Sequence, residues 1–229
     1  MVSRIAIITA RGGSKRIPKK NIRKFCGQPI IAYSIQAALE SDIFDEVMVS
    51  TDSEEIADVA RKYGASVPFM RSAETSNDYA TTNDVLKEVI EEYKKQGKEF
   101  DLVVCIYPTA PFVTAQKLKD AVGLMQGDID AVTPVVKYSF PPQRAMVIRE
   151  NSLQYEYPEY RNKRSQDLEP IYHDCGQFYV VRPENILKEK SELKIIPYIC
   201  SEMEVQDIDN EEDWKLAEVK YQIMKNLAR

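Results

Sequence analysis

Short apolar runs alternate with segments of helical period along most of the chain. Residues 5–9 form a run short enough for a buried strand. From Pro29-Ile30 onward, Ile31, Ile35, Ala38 and Leu39 recur on one side of a helix. Residues 46–50 read as a second strand. They lead into a helix over 53–63, with Ile56, Val59, Ala60 and Tyr63 in period and Gly64 as its stop. A short strand is expected over 66–69. Thr81-x-x-Asp84 opens another helix in capping-box fashion, continued by Val85, Val89, Ile90 and Tyr93 as far as Gly97. Residues 101–107, 114–126 and 131–136 then read as strand, helix and strand. This alternation predicts an α/β fold, a Rossmann-like, mostly parallel sheet with helices on both faces.

The rhythm breaks after Val136. Residues 137–175 carry Pro141-Pro142, Pro158 and Pro170, many tyrosines and several arginines, without a helical period. They are expected to form an inserted, hairpin-like β-rich lobe on a single domain spanning 1–229. Residues 176–181 and 195–199 read as strands returning to the sheet. The last helix starts at Asn210 as N-cap with Asp213 at N3, and Trp214, Ala217, Tyr221 and Met224 form its apolar face.

Composition adds limits. Hydrophobic residues are 44% and charged residues 29% of the 229, the balance of an ordinary water-soluble enzyme. No apolar run approaches a membrane span, and the start of the sequence lacks the long apolar stretch of a signal peptide, so a cytoplasmic location is expected. Cys26, Cys105, Cys175 and Cys200 are too scattered to suggest a disulfide framework or zinc site. Charge is uneven: residues 1–39 hold eight Lys or Arg and no acid, whereas the whole chain is −5. A basic segment on an acidic body argues against a nucleic-acid-binding face and suits a compact polyanion such as a nucleoside triphosphate. A solvated basic loop that aids solubility is the plainer alternative.

The candidate chemistry sits at two ends of the sequence. Residues 10–21 read ARGGSKRIPKKN, with Gly12-Gly13 allowing close backbone approach to phosphate, Arg11, Lys15, Arg16 and Lys20 supplying charge, and Ser14 a hydroxyl. This is neither a Walker A loop nor GxGxxG. A Gly-Gly pair after a strand is often only a turn, but this density of cations favours phosphate binding. Near the other end, Val205-Gln206-Asp207-Ile208-Asp209 places two carboxylates on one side if extended, where they can share a hard cation such as Mg²⁺. A solvated acidic turn complementing the next helix N-terminus explains the same residues equally well.

Together, ARGGSKRIPKKN and QDIDNEEDW resemble the CMP-sugar synthetases that activate nine-carbon acidic sugars, and the likeness extends through Thr51-Asp52, Arg71 and Pro108-Thr109-Ala110-Pro111. IYPTAPF, FPPQRA and NKRSQDLEPIYHDCGQFY are most similar to the branch acting on pseudaminic acid. The resemblance implies transfer of CMP from CTP to the sugar's anomeric hydroxyl with release of pyrophosphate. It assigns Ala10, Arg11, Gly12, Gly13, Ser14, Lys20 and Asn21 to the triphosphate and ribose, and Arg71, Ala80 and Thr81 to the cytosine edge. Asp207 and Asp209 are assigned to Mg²⁺, and Tyr107, Thr109, Arg164, Gln166 and Gln177 to the sugar side; the sugar carboxylate needs cationic partners, for which Lys163-Arg164 is the candidate pair. Arg11, Lys20 and Asp209 are the implied catalytic group, with Asp209 or a bound water as candidate base. The lobe is implied to form a homodimer that reaches the neighbour's active site. Tyr107 stands where the sialic acid branch has Gln, and His173-Asp174-Cys175-Gly176 replaces the Asn-Gly of that branch. The alternatives are cytidylyl transfer to sialic, legionaminic or 3-deoxy-octulosonic acid, a nucleotide-sugar glycosyltransferase, and a CTP-sensing module without turnover. A glycosyltransferase Asp-x-Asp pair is expected nearer mid-chain.

Overall fold

The computed structural model describes residues 2–188 and 192–227. Strand β1 (Arg4–Thr9) is followed by the cationic loop and a minor ribbon of β2 (Lys24–Phe25) and β3 (Gln28–Pro29). Helix α1 (Ile30–Ser41), β4 (Glu46–Ser50) and α2 (Glu54–Lys62) follow. After a one-turn α3 (Ala73–Ser76) come α4 (Thr82–Lys95), β5 (Leu102–Ile106), α5 (Ala115–Gly123) and β6 (Ala131–Lys137). The inserted segment contains the hairpin β7 (Met146–Arg149) and β8 (Ser152–Tyr155). The chain returns through β9 (Tyr172–Asp174), β10 (Phe178–Val181), α6 (Pro183–Leu187) and β11 (Ile195–Cys200), and ends in α7 (Glu211–Leu227).

The main sheet runs β11-β6-β10-β5-β1-β4, with β9 beside the far half of β6. The period-2 alternation of the central strands sorts their side chains onto two faces. Ala6, Ile8, Val104 and Ile106 pack with Ile31 and Ile35 of α1 and Leu118 of α5. On the other face, Ile5, Ile7, Val103 and Cys105 pack with Leu86, Val89 and Tyr93 of α4. A third cluster outside the sheet holds Ile17, Phe25, Ile30, Phe112, Ile208, Trp214 and Ala217. Here α7 docks against the loops at the carboxyl edge of the sheet. Its start is fixed as expected: Asn210 Oδ1 accepts from the Glu212 and Asp213 N–H groups, and Asp213 Oδ2 accepts from Asn210 N–H. The Thr81/Asp84 capping box at the head of α4 also forms.

Several expectations need correction. The α/β layering holds, but the sheet is mixed: β1 pairs in parallel with β4 and β5, and β11 with β6, whereas β10 is antiparallel to both neighbours and β9 is antiparallel to β6. The return through the inserted segment reverses the chain, so no crossover helix makes these pairs parallel. Residues 66–69 form only a single bridge, Ser66 to Met48, because Pro68 has no N–H with which to continue a ladder. The last residues of the expected lobe, Tyr172–Asp174, belong to the main sheet. The helix expected over 114–126 stops at Gly123. Among the described residues, no helix is long and apolar enough to cross a membrane.

Trp214 is fully enclosed, with the Phe25 ring edge-on at 5.6 Å and the Arg23 guanidinium over its face at 4.5 Å. Trp214→Ala is expected to destabilise the protein by about 3–5 kcal/mol in urea unfolding. Asn210→Ala, which removes only the α7 cap, should cost about 1 kcal/mol.

Candidate active site

The carboxyl ends of β1 and β5, where α/β sheets collect ligands, open onto a cavity of about 400 Å³. Its walls are Thr9 at the end of β1, Arg11, Ser14, Lys15, Arg16, Ile17, Lys20 and Asn21 from the loop after it, Tyr107, Pro108 and Thr109 from the loop after β5, and Asp209. The loop is shaped from within. Buried Asn21 donates through Nδ2 to the Arg11 carbonyl at 2.9 Å, and Gly12 N–H donates to Asp52 Oδ1 at 2.7 Å. A Cβ on Gly12 would lie 3.1 Å from Ser53 Cβ, so this glycine answers a close approach of two loops; a Cβ on Gly13 meets nothing within 4 Å. Ala10 is buried, with its N–H on the Ser50 carbonyl at 2.9 Å.

The loop's cations are held apart by acids. Arg11 Nη1 donates to Asp78 Oδ1 at 2.8 Å, and Lys15 Nζ pairs with the other Asp78 oxygen. The two cations hold the Asp78 carboxyl below the usual range. Arg16 Nη2 meets Asp209 Oδ1 at 2.7 Å across 193 residues of sequence, and Lys20 Nζ donates to the Ile208 carbonyl at 2.8 Å. Burial pulls the Lys20 ammonium below its ordinary pKa, while Asp209 and Asp207 both pull it back up. Both carboxylates therefore act on one half-buried cation at the cavity. Ile208 between them is 1% exposed, and its burial turns its neighbours outward: Asp209 lines the cavity and Asp207 is exposed. Among the described residues, no three His, Cys, Asp or Glu side chains gather into a metal cage. Asp209 on the cavity wall, with Asp207 exposed two residues before it, offers the kind of oxygen donors Mg²⁺ accepts, phosphate oxygens and water completing such a shell.

The Tyr107 wall is equally constrained. Tyr107 N–H donates to the Gln177 carbonyl and Ser34 Oγ donates to the Tyr107 carbonyl, both at 2.8 Å. The Tyr107 hydroxyl lies 3.2 Å from Thr82 Oγ1, and its ring meets Tyr179 edge-on at 5.6 Å.

Other expected site residues lie off the cavity wall. Arg71, 8% exposed, donates to Ser50 Oγ at 3.0 Å and to the Ser50 carbonyl at 2.6 Å. Ala80 N–H and Thr81 are engaged in their own turn and cap. Gln177 is buried and donates through Nε2 to the Glu204 carbonyl rather than facing the cavity. Lys163, Arg164 and Gln166 are exposed on the inserted segment; Lys163 lies over the Tyr160 ring, and Arg164 pairs with Asp167. His173 is exposed, with Nδ1 at 2.9 Å from the Asp174 carbonyl, and does not line the cavity. Cys26 lies against α7, where burial and Glu218 push its thiol up and away from thiolate reactivity. Asp78 had no sequence signal beyond being an acid in a loop, and only its contacts identify it; Asp52 is part of the family likeness, and its bond to Gly12 N–H supplies its role in shaping the loop.

Comparison with known proteins gives the family. The cytidylyltransferase family model matches residues 5–204. A pseudaminic acid cytidylyltransferase of Campylobacter jejuni is 41% identical over 96% of each chain. A CMP-N,N'-diacetyllegionaminic acid synthase of Legionella pneumophila is 36% identical over 93% of this chain and 94% of its own. Among solved structures, a CMP:2-keto-3-deoxy-manno-octonic acid synthetase complexed with CTP superposes with a TM-score of 0.70 at 17% identity, covering 98% of this chain and 99% of that one. At that identity it shares the fold.

The asymmetry of the glycine pair is open to test. Gly12→Ala should lower stability by about 1 kcal/mol through crowding of Ser53, and Gly13→Ala should leave the thermal midpoint unchanged. With a cation-walled cavity closed by Asp209, and with the family match spanning most of its length, the chain belongs to the cytidylyltransferase family.

Proposed function

We propose that this cytidylyltransferase transfers CMP from CTP to the anomeric hydroxyl of pseudaminic acid, giving CMP-pseudaminic acid and pyrophosphate. One observation carries the reading: Arg11, Lys15, Arg16 and Lys20 wall one side of a cavity whose remaining sides are Asp209 and the Tyr107–Thr109 loop. The 41% identity to a relative of that name supports the choice of acceptor.

In this reading the triphosphate displaces Asp78 and Asp209 from the loop cations. Arg11, Lys15 and Lys20 then bear on the phosphate oxygens, where charge grows as pyrophosphate leaves. Asp207 and Asp209 hold Mg²⁺, which when bound offsets phosphate charge and orients the triphosphate. The anomeric hydroxyl attacks the α-phosphorus in line from the Tyr107 side, and its proton passes to Asp209 or to water. Tyr107 is pinned at both backbone groups and at its hydroxyl, so the acceptor meets a fixed surface, and positioning supplies much of the rate gain.

We also propose a homodimer built on the inserted segment. Ile148 and Leu153 face each other across the hairpin at 75% and 63% exposure, and Phe140, earlier in the same segment, is 86% exposed. Exposed large apolar side chains on one segment fit an interface. Lys163, Arg164 and Gln166 stand on the same projecting segment, clear of their own cavity, so a dimer in which it reaches the neighbour's site lets them meet the sugar carboxylate.

Pyrophosphate release from CTP and Mg²⁺ tests the reaction, with pseudaminic, N-acetylneuraminic and 3-deoxy-octulosonic acids compared as acceptors. Release with pseudaminic acid alone is expected. Release with another acid instead overturns the acceptor, and release with none overturns the reaction. Asp207→Ala and Asp209→Ala should each abolish turnover without unfolding the protein, since the Arg16–Asp209 pair is exposed and worth at most about 1 kcal/mol. Arg11→Ala should raise the KM for CTP sharply, and unchanged kinetics would remove Arg11 from the site. Light scattering should report a dimer, and Ile148→Asp with Leu153→Asp a monomer.

A further inference from the structure

A buried cation lies behind the site, outside the reaction cavity. Lys117 is 6% exposed and occupies the third position of α5, where its N–H donates to the Thr114 cap at 3.2 Å. A lysine buried at the N-terminal turn of a helix needs polar partners for its head group. Its Nζ donates to the Phe112 carbonyl at 3.1 Å and pairs with Glu204 Oε1 at 3.1 Å. Glu204 in turn accepts at Oε2 from Ser201 N–H at 3.2 Å, which closes the short turn 202–204.

That turn lies immediately before the acidic pair, and three elements converge on it. Gln177 Nε2 donates to the Glu204 carbonyl at 2.5 Å, while the Gln177 carbonyl accepts from Tyr107 N–H at 2.8 Å. The Gln177 Oε1 is buried without a hydrogen-bond partner among the described residues, so the Glu204 carbonyl sets the orientation of the amide. From α7, Lys220 Nζ donates to the carbonyls of Glu202 and Val205 at 3.2 and 2.8 Å. Beyond this node the chain has only Gln206 before Asp207, and Ile208 is seated in the same apolar cluster as Phe112. Phe112 therefore links Lys117 and the acidic pair through both its carbonyl and its ring.

We propose that Lys117 is a positioning residue: through Glu204, Gln177 and Phe112 it fixes the segment that presents Asp207 and Asp209 to the metal, and ties that segment to the Tyr107 wall. This rests on the reading of Asp207 and Asp209 as metal ligands. An ion pair on a buried lysine is a poor device for stability, since an apolar pair of similar volume often does as well or better. Orientation of the carboxylates is what such an apolar pair would not supply.

The test is Mn²⁺ binding to the CTP-saturated protein, followed by the electron paramagnetic resonance signal of free Mn²⁺, with the thermal midpoint measured beside it. Lys117→Met should weaken Mn²⁺ about tenfold or more, the range found for groups that orient metal ligands, and leave CTP binding in EDTA unchanged. Lys117→Met with Glu204→Gln removes both charges together. It should recover most of the lost stability without recovering Mn²⁺ affinity, which separates positioning from a purely structural role. Wild-type Mn²⁺ affinity in that double variant overturns the proposal. Asp207→Asn distinguishes the two levels: weakened Mn²⁺ in Asp207→Asn but not in Lys117→Met sinks the Lys117 role alone, and weakening in neither sinks the metal reading with it.

Discussion

Two isoleucines hold the site together. Ile17 belongs to the cationic loop and Ile208 to the acidic pair, and both are 1% exposed in one apolar cluster with Phe25, Phe112 and Trp214. Burying them removes two large aliphatic side chains from water, on the order of 3–6 kcal/mol together. That gain brings segments of opposite charge into contact across nearly the whole length of the chain. The Arg16–Asp209 and Lys20–Ile208 contacts then follow from where the isoleucines sit. Exposed ion pairs alone are too weak to close so long a loop.

The sheet supplies the remaining wall by a similar economy. Alternation along β1 and β5 buries both faces, so the polar residues that follow each strand are delivered together at the carboxyl edge. Tyr107 leaves β5 with both backbone groups already bonded, to Gln177 and to Ser34, and its direction is settled before any ligand arrives. Asp78 pairs with Arg11 and Lys15 and Asp209 with Arg16, so two carboxylates offset part of the charge of four loop cations in the empty cavity. In the proposed reaction an arriving triphosphate exchanges these carboxylates for phosphates and meets the remaining positive charge.

Local signals in the sequence were read well where local physics decides the outcome. The strand over 46–50 appears with the expected ends, and the Thr81/Asp84 box and the Asn210 cap form as read, because each is settled within a few residues. The direction of β10 was not legible, since it depends on a detour through an inserted segment with no periodicity of its own. The cationic loop and the acidic pair were visible as compositions; their contact was not, because its cause is a pair of ordinary isoleucines. Asp78 escaped notice because its partners Arg11 and Lys15 lie 67 and 63 residues away, and Arg71, Ala80, Thr81 and Gln177 proved to be bonded within the scaffold rather than set on the cavity wall. The roles drawn for Lys163 and Arg164 depend on a second chain, which a single sequence does not describe.

The central claim is that one triphosphate is held between the loop cations and a metal carried by Asp207 and Asp209. Calorimetric titration of CTP, in Mg²⁺ and in EDTA, tests it most directly when the wild-type protein is compared with a variant carrying Asp207→Ala and Asp209→Ala together. Mg²⁺ should tighten CTP binding in the wild type and lose that effect in the variant. Equal tightening in both proteins would mean that the metal is bound elsewhere and that the acidic pair serves only to cap α7 and balance the loop.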